Sequence, residues 1–154
     1  MPNPPYVALH PQPVGSRRQA GAAVYVHVGP NNGENEWEQL WGQRRARTRV
    51  VIGCIPFFAT HIRLGDEVEI DNNRIFQRVL RHSRQSTFRV WFDAAAEQQK
   101  LASRLTALNV KWETCADGFL ALSVREGADA RALTRLLQTA AKGGTLHYTA
   151  HRRW

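Results

Sequence analysis

Cysteine is scarce in this 154-residue chain, which carries only Cys54 and Cys115. Two thiols build neither a disulfide scaffold nor a cysteine-rich metal site. Each sits in an apolar, strand-like context, Val51-Ile-Gly-Cys-Ile55 and Trp112-Glu-Thr-Cys-Ala116, which reads as a buried free thiol. No apolar run approaches the ~18–20 residues that span a bilayer. The N-terminus lacks a positive-then-apolar signal pattern, so a cytoplasmic protein with no membrane contact is expected. No internal repeat joins the halves. Cys-x-x-Cys and His-Glu-x-x-His are both missing. Gly29-Pro-Asn-Asn-Gly33 has no Lys-Ser/Thr continuation and no following helix, and reads as a turn rather than a phosphate loop. Among the histidines, His147 and His151 are near each other, and a zinc site there needs His27, Glu113 or Cys115 from elsewhere. Ser83 and Ser86 lie near His82, but nothing in the spacing enforces a nucleophilic triad. No cofactor, metal or catalytic set is therefore expected.

Positive charge is abundant. Eighteen arginines and three lysines face 13 acidic residues, a formal net charge of +8. Such a balance attracts an anionic partner, nucleic acid or acidic protein, or serves solubility alone. The charge is spread along the chain: residues 1–92 hold 12 basic and 7 acidic groups, residues 93–154 hold 9 and 6, so neither half is a dedicated basic domain.

Five of seven prolines fall in the first thirteen residues. Proline removes backbone donors, so residues 1–20 are expected to be a loose, flexible arm. Residues 21–86 read as about five short strands with turn-rich links: Ala22–Val28, a weakly marked strand around Trp37 and Trp41, Val50–Ile55, Glu67–Ile70 and Arg74–Arg81. Pro56 ends the third, Gly65-Asp66 is a tight turn, and Asp71-Asn72-Asn73 is a hairpin turn. The economical reading is a small, curled, barrel-like β subdomain. Residues 87–149 read as β-α-β-β-α-β, the split double unit of ferredoxin-like folds. Leu101, Leu105 and Leu108 make one helical stripe, and Leu133, Leu136, Leu137 and Ala140 make another. Asp117-Gly118 marks a hairpin, Gly143-Gly144 a helix end, and residues 150–154 a basic tail. The expected class is α+β.

Trp41, Val51-Ile-Gly-Cys-Ile-Pro-Phe-Phe-Ala59, Ile62-Arg-Leu-Gly-Asp-Glu-Val-Glu69 and Arg81-His-Ser-Arg-Gln-Ser-Thr-Phe-Arg-Val90 carry a resemblance. Together they resemble an uncharacterised bacterial family of small two-part domains. Its pattern has a strand ending in an Asn-x-Pro-Phe-like corner, then a Gly-Asp turn, then a Gly-His-Ser-Thr-like link. Here Cys54 stands at the Asn position, and the link is altered around His82-Ser83. The likeness covers roughly residues 24–148 and implies a fold without a reaction. Small proteins of this sort are sometimes encoded beside bacterial toxins as immunity proteins.

Surface chemistry supplies the binding candidates. Arg47 and Arg49 share a strand face, as do Arg74 and Arg78, while Arg81 falls on the other face unless a bulge intervenes. If these strands are neighbours, four arginines cluster, bordered by Arg84 and Arg89. Such a patch pairs with carboxylates or holds phosphates. Trp37, Trp41 and Trp154 are candidate interface anchors. Glu34, Glu36 and Glu38 share one face of an extended segment, read as solvated, and are the candidate acidic contact face if the partner is a basic nuclease. The expected function is a non-enzymatic protein-binding module, of which an immunity protein covering a cognate toxin is the specific form. A nucleic-acid-binding protein using the arginine face is the first alternative, and an enzyme such as a nuclease is the second.

Overall fold

The computed structural model describes residues 6–10, 13–14, 21–31, 34–116 and 118–151. The chain divides into two compact units, Met1–Ser83 and Arg84–Trp154. The division lies three residues before the expected one, because Gln85 and Ser86 already belong to a strand of the second unit.

The first unit holds strands β1 (Tyr6–Ala8), β2 (Ala22–Asn31), β3 (Glu34–Ala46), β4 (Arg49–Ile52), β5 (Glu67–Ile70) and β6 (Phe76–Arg81). Their order is β1-β3-β4-β5-β6, with β2 paired to β3. All pairs are antiparallel except β1 on β3. The curled, barrel-like sheet expected from the sequence is not what forms. The sheet is an open path, and a single isolated bridge, Tyr25 to Ile75, stands where closure would need a ladder. The physical reason is that another element covers the apolar face. The irregular segment 53–66 drives Cys54, Ile55, Phe57, Ala59 and Ile62 inside, each at most 1% exposed. Several of these join Val24, Leu40, Val50, Ile52, Val68 and Ile70 in one core. A loose arm does not describe residues 6–10 either, since β1 pairs in register with Glu36–Glu38 and His10 is buried.

Strand β3 was the weakest assignment from sequence and is the longest strand. Alternation sets its faces: Glu38, Leu40 and Gly42 point inward, while Trp37, Gln39 and Trp41 stay half-buried. Gly42 lets β4 approach, because a Cβ there would sit 2.5 Å from the Val51 carbonyl oxygen. The β5–β6 hairpin turns on Asp71, whose Oδ1 accepts the backbone N–H of Asn73 and Ile75, both at 2.8 Å.

The second unit contains β7 (Gln85–Phe92), α1 (Ala95–Leu105), a 3-10 turn (Thr106–Leu108), β8 (Lys111–Ala116), β9 (Phe119–Arg125), α2 (Ala128–Lys142) and β10 (Leu146–His151). The antiparallel sheet runs β10-β7-β9-β8. Strands β7 and β8, joined through α1, are separated by β9, so the expected βαββαβ order forms. Phe88, Val90, Leu120, Leu122 and Val124 meet Leu101, Leu105, Leu133 and Leu137 from the helices. Each fully buried leucine contributes about 1.5–3 kcal/mol of apolar transfer. Asn109, at φ 52°, ends the 3-10 turn. The helices begin after Ala94 and Gly127, neither of which supplies a side-chain cap. Asp129 lies in the first turn of α2, where the helix dipole favours a negative charge. On the other side of β7, Thr87 and Arg89 are buried and Trp91 is 41% exposed. Among the described residues no helix is long and apolar enough to cross a membrane.

Candidate functional site

Glu38 is the least expected feature of the first unit. Its place on the inward face of β3 forces a carboxylate into the core, where its exposure is 0%. A buried charge is tolerated only when its lone pairs are matched by donors. The corner after Pro56 supplies them. Glu38 Oε1 accepts the Phe57 N–H at 2.5 Å, and Oε2 accepts those of Phe58 at 2.9 Å and Ala59 at 2.7 Å. His10 Nε2 donates to Oε1 at 2.8 Å. The His10 ring also stacks on Phe57, with centroids 4.0 Å apart and planes 6° from parallel. Burial pushes the Glu38 carboxyl up, but the His10 hydrogen bond and charge and the Phe57 and Ala59 N–H groups outweigh it. The net direction is below the ordinary carboxylate value. Burial holds His61 below its ordinary value, partly offset by the Glu38 charge.

Four donors fill the roughly four lone-pair positions of a carboxylate. Glu38 is therefore a clamp on the backbone of residues 57–59 rather than a proton-transfer group. A second buried carboxylate closes the same loop. Asp66 accepts the Arg63 N–H at 3.0 Å and the Ser83 N–H at 2.7 Å, and His82 Nδ1 lies 3.7 Å from it. Between the two clamps the chain turns Phe57 inward, 1% exposed, and Phe58 outward, 44% exposed. Leu9, the neighbour of His10, is 56% exposed. The stacked pair His10–Phe57 thus carries an exposed apolar neighbour on each of its two chain segments.

The arginine cluster forms in part and is not bare. Arg49 on β4, Glu69 on β5 and Arg78 on β6 are register partners in one row. Arg78 Nε donates to Glu69 Oε2 at 2.5 Å. Register shifts within β5–β6 bring Arg81 opposite Glu67, with Nη2 3.5 Å from Oε2. The bulge condition is therefore met, and glutamates interleave the arginines. Arg47 donates to Asn72 Oδ1 at 3.0 Å, and Arg74 holds the same hairpin end at φ 65°. Arg84 and Arg89 belong to the second unit, Arg84 exposed and Arg89 buried. Trp37 is half-buried against His27 at 5.1 Å, and the Trp41 N–H donates to Cys54 Sγ at 3.3 Å. The acidic face does not form as a solvated row: Glu36 is half-buried and Glu38 is sealed inside. Trp154 and the Glu34 side chain lie outside the described residues. Among the described residues no three His, Cys, Asp or Glu side chains gather to hold a metal.

Sequence reasoning missed Leu9, His10 and Phe58. The available signal was the parity of β3, where Glu38 shares a face with Leu40 and so had to find donors inside.

The domain of unknown function DUF4265 matches residues 38–148, a span that contains the Glu38 clamp, the 53–66 loop and most of the second unit. A crystal structure of a hypothetical protein from Neisseria gonorrhoeae superposes with a TM-score of 0.69 at 19% identity. The match covers 83% of this chain and 92% of that one, and at that identity it speaks for the fold. No curated protein matches the sequence.

Proposed function

We propose, for a chain that belongs to the DUF4265 family of domains of unknown function, a protein-binding module whose contact surface centres on Phe58. The observation that carries this reading is the outward Phe58 ring on a loop held by one buried carboxylate through three backbone N–H bonds. Burying a charge is costly, and here the return is a single fixed loop conformation. A rigid aromatic loses little entropy on binding, which is how an interface anchor reaches high affinity. Leu9 is a second exposed apolar residue, next in the chain to the His10 ring that stacks on Phe57. The sheet arginines favour the protein reading over the nucleic-acid one, because Glu67 and Glu69 already engage Arg81 and Arg78.

In its specific form the partner is a cognate toxin encoded beside this protein, which would act as its immunity protein. That form draws its support from the sequence resemblance. The test is calorimetric titration of the purified chain with the products of neighbouring genes, repeated with Phe58→Asp. A complex that weakens about 30-fold, the ~2 kcal/mol of an interface hot spot, with an unchanged circular dichroism spectrum, is expected. A complex indifferent to Phe58→Asp overturns the reading. So does an absence of protein partners combined with nucleic-acid binding that falls steeply with salt.

A further inference from the structure

The helices of the second unit carry more cations than their own carboxylates engage. Helices α1 and α2 hold Lys100, Arg104, Arg131, Arg135 and Lys142 against Glu97 and Asp129. All five cations are exposed. Lys100 donates to Glu97 Oε1 at 3.2 Å, and among the described residues the other four have no ion pair. Arg131, Arg135 and Lys142 lie within about 40° of one another around α2, at roughly 100° per residue. They stand opposite the buried Leu133 and Leu137. The sheet of the first unit differs, since its arginines alternate with glutamates.

Lys100 and Arg104, one turn apart on α1, rim a groove of about 240 Å³ floored by Leu101, Leu136, Ala140 and Leu146. Leu136 and Ala140 are only half-buried there. The volume falls short of the ~300–1,000 Å³ typical of small-molecule sites and suits a few side chains. We propose that this groove docks an acidic peptide segment of a partner protein in which apolar residues alternate with carboxylates. The apolar side chains rest on the leucine floor, and the carboxylates meet Lys100 and Arg104, with the α2 arginines steering the approach. Charge complementarity fixes the sign of the partner, and the floor fixes its apolar component. No aromatic residue lines the groove, so bases find no stacking platform.

The groove belongs to the second unit and the Phe58 loop to the first, and either proposal can fail alone. The experiment is a two-dimensional amide NMR titration of the full chain with a synthetic peptide of alternating Glu and Leu. Oligo-glutamate, a short single-stranded oligonucleotide and phosphatidylglycerol vesicles are titrated in parallel. The Glu/Leu peptide is expected to shift the amides of Leu101, Arg104, Ala140 and Gly143. Its Kd should rise about tenfold or more in the double variant Lys100→Glu, Arg104→Glu and again in Leu136→Asp. Equal binding by oligo-glutamate, the oligonucleotide or the vesicles overturns the proposal. Shifts spread over the sheet arginines, or no shift with the Glu/Leu peptide, overturn it as well.

Discussion

The two units cover their sheets by different means. In the second, α1 and α2 lay leucine stripes on Phe88, Val90, Leu120 and Leu122, and the covering elements are helices that pair backbone groups within themselves. In the first, an irregular loop lies where a helix would, and irregular backbone brings N–H groups inside without a ladder to take them. Glu38 and Asp66 take them instead. A loop that serves as core needs polar fasteners, and those fasteners concentrate stability in a few atoms. An apolar helix–sheet core distributes it over many contacts. The same contrast holds for charge. Arginines of the first sheet are interleaved with carboxylates, whereas the cations on the helices are mostly exposed without ion pairs.

The strongest way to break this contrast is Glu38→Ala. It removes the carboxylate that accepts the N–H groups of Phe57, Phe58 and Ala59 and the His10 hydrogen bond, and a loss of about 3–5 kcal/mol in chemical denaturation is expected. Amide exchange should accelerate first at residues 57–59. A smaller loss, with exchange spread evenly over the first unit, would mean the loop holds itself. Leu137→Ala tests the other side. It removes a fully buried side chain from the helix–sheet core and should cost about 2–4 kcal/mol, with protection lost across α2 and β9 together.

Acid sharpens the comparison further. The Glu38 pKa is lowered in the folded state. Its stabilisation is therefore complete above the unfolded carboxylate value and disappears as pH falls through the lower folded value. Stability should fall more steeply between neutral pH and acid for the native chain than for Glu38→Gln, in which this group no longer titrates. Parallel curves would show that the clamp contributes no proton linkage. The smallest effect belongs to the exposed ladder. Arg78→Ala removes a partner of Glu69 whose side chain is 70% exposed, and it should shift stability by no more than ~0.5 kcal/mol. A larger loss would mark the arginine row as a structural network.

Legibility followed the same divide. The βαββαβ order, the leucine stripes of α1 and α2, and the turns at Gly118 and Gly144 were all readable, because a helix or strand repeats its pattern within a few residues. The extent of β3 and the course of the 53–66 loop were not. Adjacent Phe57 and Phe58 look alike in sequence, yet one is sealed and the other faces outward. The face of Arg81 was undecided for a related reason. A bulge re-phases a strand, and only the partner strand shows where the extra residue sits.

By itself, then, the amino-acid order determined the α+β class, the helical core of the second unit and the scarcity of reactive motifs. Only the tertiary structure decided that the first sheet stays open, that His10 reaches Glu38 across 28 residues, and that the carboxylate ends inside rather than in water. The reason is range. Periodicity constrains neighbours along the chain, while the partner of a buried charge is chosen by which donors the folded backbone brings within about 3 Å, and no local pattern encodes that choice.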